Sequence, residues 1–165
     1  MKEIKILGSN RFEAYSKTRE ACRAVIMRGK ELLLTHDLQT DCYMLPGGGM
    51  EGNETREQCC IREVEEETGY IVRPLRQFAT VHEYYEEYRY SSYYFVCAIE
   101  TLGQVRLTEA EQKRGLKAEW IPMKTAIAFF SKHQQYAAVS EEKRGIYLRE
   151  YQALLACIEE HESLP

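Results

Sequence analysis

Short apolar segments predict β-strands in the first third of the chain. Arg23–Met27 and Glu31–Leu34 are apolar after their first residue and lie on either side of Arg28-Gly29-Lys30, which suits a turn. The three consecutive leucines of the second segment indicate a strand that is buried on both faces. We predict a shorter strand at Tyr43–Leu45, which ends at Pro46 and the three glycines that follow it.

The pattern becomes helical after these glycines. Thr55 can act as an N-cap, and Gln58 three residues later completes a capping-box pattern. Residues of low polarity then recur at helical spacing, and Gly69 stands where a left-handed C-terminal residue is favoured. We therefore predict a helix from about Arg56 to Thr68.

Two long β-rich segments follow this helix. Ile71–Tyr85 and Tyr88–Glu100 are rich in Val, Tyr, Phe and Thr, and two glutamates separate them, so we expect an antiparallel pair. A further strand is predicted at Lys117–Ile121. It ends at Pro122, which can also open a short helix through Phe130.

The end of the chain predicts an amphipathic helix that Ser140 can cap. Its apolar stripe, which can face the core or a second copy of the chain, consists of Tyr147, Tyr151, Leu154, Leu155 and Ile158. This order of elements predicts an α+β fold in which helices flank a mixed sheet. The length, the absence of repeats and the absence of linker-like segments indicate one domain over residues 1–165.

Composition and charge narrow the classes of function. Charged residues throughout the first 27 positions argue against a signal peptide, and no apolar run is long enough to cross a membrane. We therefore expect a cytoplasmic protein without a membrane partner, whose six cysteines are reduced thiols packed as small apolar groups. The net charge of −4, without a basic run, argues against binding to long nucleic acid. An acidic protein that handles phosphates would need a divalent cation.

The predicted first helix carries an unusual density of carboxylates. Glu63, Glu66 and Glu67 are spaced at i, i+3 and i+4 and therefore share one helix face. Like charges at that spacing, near the C-terminal end of a helix, destabilise it. A hard cation such as Mg²⁺ would reverse the sign of the interaction. For a glutamate-rich helix taken alone, a solvated acidic surface is the competing explanation.

The glycines before the helix favour cation binding over a solvated acidic surface. Gly47, Gly48 and Gly49 let the backbone approach a ligand closely, although a flexible turn would explain three glycines on their own. Gly48, five residues, Glu54, seven residues and then R-E-V-x-E-E-x-G at residues 62–69 together resemble the signature of the Nudix hydrolases. Tyr70 departs from the family pattern, which usually has an aliphatic residue at this packing position.

The resemblance implies an α/β/α sandwich that binds one or more Mg²⁺ or Mn²⁺ ions. Glu63, Glu66 and Glu67 are then the metal ligands, and the carbonyl of Gly48 is a further candidate. Arg62 would pair with Glu54 or Glu63 and orient them. Gly47 and Gly49 are candidates for contact with the substrate phosphates.

The implied reaction is attack by water on a diphosphate, with the metal neutralising charge and a carboxylate taking the proton. Glu66 or Glu67 could be that base, but the base often lies outside the signature in this family. Outside candidates are Glu109, Glu111 and Glu119, of which we favour the last two. Each of the three would otherwise be an ordinary surface glutamate.

The substrate is less defined by the sequence. Six tyrosines lie between residues 84 and 94, and those facing a cleft could stack on a nucleobase, although most tyrosines in strands simply pack. Tyr85 and Tyr88 fall where dinucleoside polyphosphate hydrolases of the family tend to have a tyrosine, and we take Tyr85 as the substrate candidate. We assign no role to Arg23, His36 and His82, which could contact phosphate or base but are more often structural.

We expect an enzyme that acts on a small nucleotide or another diphosphate, such as a nucleoside diphosphate derivative or a (d)NTP. A Nudix domain that senses a nucleotide without turnover is the main alternative. An isomerase of prenyl diphosphates is a third, but the catalytic cysteine and additional metal ligands that it needs cannot be placed here. Because dimers are common in the family, we expect that a homodimer is possible.

Overall fold

A computed structural model describes residues 1–162, with the side chains of residues 1–160. Within that range there are eight strands: β1 (Lys2–Leu7), β2 (Lys17–Arg28), β3 (Glu31–Asp37), β4 (Cys42–Met44), β5 (Gly47–Gly49), β6 (Tyr70–Tyr85), β7 (Tyr88–Leu102) and β8 (Lys117–Pro122). The helices of the same range are α1 (Arg56–Thr68), α2 (Glu109–Arg114), α3 (Met123–Ser131) and α4 (Glu141–Glu162), with a 3₁₀ turn at His133–Tyr136. No helix among these is long and apolar enough to cross a membrane.

The strands form a mixed sheet, as the order of elements predicts. Its main path runs β1-β6-β7-β2-β3-β4, while β5 pairs with β2 and β8 pairs with β3. The pairs β1–β6 and β2–β7 are parallel, and the others are antiparallel. β6 and β7 form the expected hairpin, in which Tyr85 lies opposite Tyr88.

Two apolar cores lie on opposite faces of the sheet, which makes the domain an α/β/α sandwich. α1 packs on one face, where Cys60 and Val64 contact alternate residues of β2 and β7. α3 and α4 cover the other face, where Phe130 and Leu154 pack against β3, β6 and β7. The six cysteines are free and buried, in agreement with their prediction as packed thiols.

The sequence interpretation misses several elements, including the 3₁₀ turn at His133–Tyr136, and shortens another. β1 and α2 are absent from the prediction, and β2 begins six residues earlier than its apolar part. β1 is an edge strand that forms through parallel pairing with β6, a partner more than seventy residues away. The glycines, expected as a loop, pair with β2 as the short strand β5.

The C-terminal helix begins as predicted but presents a different face. Ser140 Oγ accepts a hydrogen bond from the Lys143 N–H at 3.2 Å. The predicted apolar stripe is confirmed in part, because Tyr147 and Leu154 are buried in the core and Tyr151 packs against it. Leu155 and Ile158 are only half-buried, whereas the charged residue Glu150 is fully buried. Charged residues thus share the buried face of this helix, whose buried positions within residues 141–160 are Gly145, Tyr147, Arg149, Glu150, Ala153, Leu154, Ala156 and Cys157.

Candidate active site

The glycine strand β5 is held against β2 with little room for side chains. Gly47 pairs with Arg23 and has a φ of +142°, a conformation that favours glycine. A Cβ at Gly47 would overlap the carbonyl oxygen of Cys22. The backbone at this point can therefore be formed by glycine only.

Gly48 brings its backbone against the acidic face of α1. A Cβ at this position would overlap the carboxylate of Glu63, so the glycine leaves space for that side chain. The thiol of Cys59 contacts the backbone of Gly48, because it donates to the Gly48 carbonyl oxygen at 3.6 Å. The carbonyl of Gly48 and the carboxylate of Glu63 thus occupy one small region.

Local sequence fixes the helix that carries the glutamates. Thr55 and Gln58 form the predicted capping box, with the Gln58 N–H donating to Thr55 Oγ1 at 3.2 Å. Gly69 ends the helix at a φ of 75°, and its N–H donates to the Glu65 carbonyl oxygen at 2.8 Å. Val64 and Glu67 are both buried, and the helix packs against β2, β5 and β6.

Arg62 forms hydrogen bonds with several carboxylates at the acidic face of α1. It forms a bidentate pair with Glu54, with Nε–Oε2 at 3.0 Å and Nη2–Oε1 at 2.7 Å. Its Nη1 donates to Glu63 Oε1 at 2.8 Å and to Glu66 Oε2 at 3.2 Å. Its Nη2 also donates to the Gly49 carbonyl oxygen at 3.0 Å. The structure therefore brings Arg62 to both Glu54 and Glu63, and ties the helix to the glycine strand.

These contacts set the proton affinities of the groups around Arg62. The guanidinium holds the pKa of Glu54 below its ordinary value, and the surrounding carboxylates raise the pKa of Arg62. Burial raises the pKa of Glu63, even though Arg62 opposes this effect. The pair of Arg62 and Glu54 is therefore a fixed ion pair beside the carboxylates.

Glu67 is the most buried glutamate of the signature. Its Oε2 accepts a hydrogen bond from the Gly47 N–H at 2.8 Å. Burial raises the pKa of Glu67 to about 8, and the Gly47 N–H and the charge of Arg23 oppose this shift. The negative charges of Glu63 and Glu111 raise the pKa further. A buried carboxyl with acidic neighbours is stabilised in its charged form by a nearby cation.

The carboxylates do not converge on a single point in this arrangement. Glu63 and Glu66 each give an oxygen to Arg62, while Glu67 is bound to Gly47. Within residues 1–160, no three His, Cys, Asp or Glu side chains stand together in a geometry that would hold a metal ion. Glu63 and Glu66 each keep a second carboxylate oxygen that is not bound to Arg62.

Comparison with known proteins identifies this arrangement. A family model described as a NUDIX domain matches residues 17–142. The chain belongs to the Nudix family. The predicted family resemblance is therefore confirmed, and the protein is a hydrolase of the Nudix type.

Individual Nudix proteins resemble the chain over most of its length. Diphosphoinositol polyphosphate phosphohydrolase 3-alpha of Mus musculus is 30% identical over 129 residues, which are 77% of this chain and 77% of that protein. Putative nudix hydrolase 1 of Caenorhabditis elegans is 34% identical over 108 residues, which are 61% of this chain and 28% of that protein.

Solved Nudix structures share the fold. A NUDIX hydrolase from Nitrosomonas europaea superimposes with a TM-score of 0.60 and 22% identity, covering 83% of this chain and 90% of that one. A UDP-X diphosphatase superimposes with a TM-score of 0.53 and 19% identity, covering 87% of this chain and 67% of that one. At these identities the likeness shows the fold, and the predicted Nudix architecture is confirmed.

Glu111 is remote in sequence from the Nudix signature but acts electrostatically on two of its glutamates. Its Oε2 accepts a hydrogen bond from the Thr108 N–H at 2.7 Å and so caps the short helix α2. Its charge raises the pKa values of Glu63 and Glu67. The structure therefore brings Glu111 into the electrostatic surroundings of the acidic face. Glu109, in contrast, is exposed and pairs with Lys113.

Glu119 lies on the other face of the sheet. Ala118 and Trp120, its neighbours in β8, pack in the same core as the Nudix helix, so the side chain of Glu119 points away from that helix. It accepts from Lys117 Nζ at 2.8 Å and is 3.0 Å from His36 Nδ1. The structure does not bring Glu119 to Glu63, Glu66 or Glu67.

Tyr85 is also remote from the glycine strand. Its ring packs against Gly8 and Gly145 at the far end of the β6–β7 hairpin. Ala79, six residues earlier in β6, is the residue level with Tyr94, so Tyr85 lies about 20 Å along the strand from that level. Arg23, the neighbour of Gly47, is paired with Tyr94.

Arg23 is a site residue to which the sequence assigned no role. Its side chain, only 12% exposed, donates through Nη1 to the carbonyl oxygens of Leu45 and Gly47 at 3.2 and 3.3 Å. The available signal was a single arginine in the otherwise apolar centre of β2. An arginine that is buried in a strand requires acceptors, but the sequence does not show which ones.

Proposed function

We propose that the protein hydrolyses a diphosphate linkage in a nucleoside diphosphate derivative or a (d)NTP, and that the reaction depends on Mg²⁺ or Mn²⁺. The observation that carries the proposal is the meeting of Gly48 with Glu63, around which Arg62 gathers further carboxylates. Glycine backbone and oxygen ligands in one region suit a hard cation together with phosphate oxygens. Diphosphate hydrolysis is the general activity that the family supports.

The donors of this region fit a divalent cation of the magnesium type. The candidate ligands supply oxygen only: they are Glu63, Glu66, Glu67 and the carbonyl of Gly48. A cation would offset the burial and the acidic neighbours that raise the pKa of Glu67. When bound, the cation neutralises charge on the phosphates and lowers the pKa of a coordinated water.

The side chains of this region have different roles in the proposed reaction. Arg62 holds Glu54 and orients Glu63, while Gly47 fixes Glu67 through its N–H. Glu66 and Glu67 are the candidate acceptors for the proton of the attacking water. Glu66 is the more accessible of the two, with 33% of its side chain exposed, whereas Glu67 is buried.

The identity of the diphosphate is open to direct test. The mouse relative is named as a diphosphoinositol polyphosphate phosphohydrolase, and one structural neighbour as a UDP-X diphosphatase. Diphosphoinositol polyphosphates therefore belong beside nucleotides among the substrates to be tested. Tyr85 is a weaker candidate for substrate contact than Gly47 and Gly49, because it lies at the opposite end of its strand.

The test is incubation of the purified protein with nucleotide sugars, dinucleoside polyphosphates, ADP-ribose, (d)NTPs and diphosphoinositol polyphosphates, with Mg²⁺ or Mn²⁺. Products are identified by chromatography and phosphate release. We expect cleavage of a diphosphate bond that stops when the metal is chelated. Turnover that persists in excess chelator would contradict metal dependence, and tight binding of one compound without cleavage of any would support a nucleotide sensor.

Two predictions about the protein in the cell accompany this proposal. We place the enzyme in the cytoplasm, with a small-molecule substrate and no membrane or long nucleic acid as partner. A homodimer could use the half-buried Leu155 and Ile158 of α4. Light scattering at micromolar concentration distinguishes a mass near 19.3 kDa from twice that mass.

A further inference from the structure

A buried ion cluster lies under α4, on the face of the sheet opposite to α1. It consists of Arg23 of β2, Glu83 of β6, and Arg149 and Glu150 of α4, with the Tyr94 hydroxyl. Glu150 is fully buried and accepts from Arg149 Nη2 at 2.8 Å and from Tyr94 at 3.1 Å. Buried ion pairs are costly to form and are weak evidence for stability, so their positions can reflect another requirement.

Arg23 connects this cluster with the glycine strand. On one side its Nε lies 3.9 Å from Glu150 Oε1, and Nε has no hydrogen-bond partner within the described part of the chain. On the other side its Nη1 donates to the carbonyl oxygens of Leu45 and Gly47. These two carbonyls flank Pro46, which has no N–H but whose carbonyl accepts a hydrogen bond from the Ala24 N–H at 2.9 Å.

Arg23 and Glu67 bind the backbone of the same residue, Gly47. The N–H of Gly47 donates to Glu67 Oε2 at 2.8 Å, while the carbonyl of the same residue accepts from Arg23 at 3.3 Å. Gly48, whose carbonyl is a candidate metal ligand, follows directly. A shift of the Leu45–Gly47 backbone would therefore move two candidate metal ligands together.

We propose that Arg23 is a positioning residue: from its anchor beside Glu150 it fixes the Leu45–Gly47 backbone and thereby sets the places of Glu67 and the Gly48 carbonyl. The inference rests on the proposed metal dependence of the enzyme. Direct contact of Arg23 with a substrate phosphate is disfavoured, because its Nη1 already serves two carbonyls and most of its side chain is buried.

The test compares Arg23→Met, which keeps length without a donor, with Arg23→Lys, which keeps one charged donor. Arg73→Met is the control, since Arg73 is exposed and pairs with Glu100 on the surface. Three quantities are measured for each protein: kcat and KM at saturating metal, the Mg²⁺ concentration for half-maximal activity, and Mn²⁺ binding by electron paramagnetic resonance without substrate.

We expect Arg23→Met to weaken Mn²⁺ binding and to raise the Mg²⁺ requirement by about tenfold or more, as is typical for the loss of a partner of a metal ligand. KM at saturating metal should stay close to the wild-type value, and Arg23→Lys should recover part of the loss. Arg73→Met should match the wild type in all three quantities.

Other outcomes would overturn the inference. Wild-type metal binding in Arg23→Met, or a raised KM with an unchanged metal requirement, would show that Arg23 does not act through the ligands. If Arg23→Met does not fold, Arg23→Lys decides alone, and failure of both to fold would make Arg23 a purely structural residue. A wild-type protein that binds no Mn²⁺ would remove the proposed metal dependence and the inference with it, whereas an active wild type with unaffected variants would remove only the inference.

Discussion

Arg62 contacts more groups of the candidate site than any other residue described above. Its planar guanidinium binds the two oxygens of Glu54 and reaches Glu63, Glu66 and the Gly49 carbonyl with its remaining N–H groups. A lysine carries the same charge but cannot reproduce a fork of fixed geometry. The arrangement of the carboxylates therefore depends on the shape of this side chain as well as on its charge.

Replacement of Arg62 by lysine tests this dependence. We expect kcat to fall by about 10- to 100-fold, because Glu63 and Glu54 lose their orientation. Steady-state kinetics at saturating metal measures the effect. Arg106→Lys is the matched control, since Arg106 is exposed and pairs with Glu65, which occupies a variable position of the signature. Equal activity of Arg62→Lys and Arg106→Lys would contradict the orienting role.

The glycines offer a second test at the scale of one atom. An added Cβ at Gly48 would overlap the Glu63 carboxylate, whereas at Gly49 it would lie 3.4 Å from the flexible end of Arg19. We expect Gly48→Ala to lower kcat by about tenfold or more, because Glu63 must move. Gly49→Ala should have a much smaller effect. A thermal melt of each variant separates loss of activity from loss of folding, and similar kinetics for the two would argue against the contact with Glu63.

Glu119 gives a test of pH dependence away from the candidate metal ligands. Lys117, followed by His36, holds the pKa of Glu119 below its ordinary value. A carboxylate with a lowered pKa stabilises the fold above its unfolded-state pKa and loses that contribution as the pH falls through its folded-state pKa.

We therefore expect Glu119→Gln to reduce the free energy of unfolding at pH 7 by about 1 kcal/mol. The difference from wild type should shrink below about pH 4, where the carboxyl becomes protonated. Urea denaturation across this range provides the measurement, with the exposed Glu109→Gln as control. A difference that persists undiminished in acid would contradict an ionic origin.

Sequence reasoning found some site residues and missed others for a physical reason. Glu63, Glu66 and Glu67 share a helix, so their spacing alone places them on one face. Arg23 acts on carbonyls more than twenty positions away, across a strand pair that its own sequence does not define. Glu119 was favoured as an outside base from its position before Trp120, but strand alternation turns it to the other face.

At the scale of elements, the sequence predicts those helices and strands whose stabilising contacts lie close together along the chain. α1 was predicted with its observed bounds, because its N-cap, C-cap and apolar face all lie within fifteen residues of one another. β1 depends on a remote partner and therefore escaped prediction. α2 has a readable capping box in Thr108 and Glu111, but it is only six residues long and buries no side chain.

The contribution of the α1 capping box to stability can be measured by substitution. We expect Thr55→Ala to lower the free energy of unfolding by about 1 kcal/mol, because the Gln58 N–H loses its acceptor at the start of a packed helix. Thr108→Ala removes the equivalent bond from the short, exposed helix α2 and should cost less. Chemical denaturation of both variants measures the two losses of stability. A larger loss in Thr108→Ala than in Thr55→Ala would contradict the greater contribution of the α1 capping box.

At the scale of the whole molecule, the sheet separates two kinds of burial. The α1 face holds an apolar core rich in cysteine, while the α4 face combines apolar packing with the buried ion cluster. The glycine strand lies between them: it contacts the glutamates of α1 through Gly47 and Gly48, and Arg23 from the other face. The candidate site is thus the place where the two faces meet.

The most direct test of the account is the turnover of a Glu66→Gln/Glu67→Gln double variant in the presence of Mg²⁺. Glu65→Gln is its control, since Glu65 lies on the same helix but pairs with Arg106. The account predicts that kcat of the double variant falls by more than about 100-fold, which exceeds the loss typical when a hydrogen-bonding partner of a metal ligand is removed. Glu65→Gln should stay active. Full metal-dependent activity in the double variant would contradict the assignment of these glutamates and the mechanism built on them.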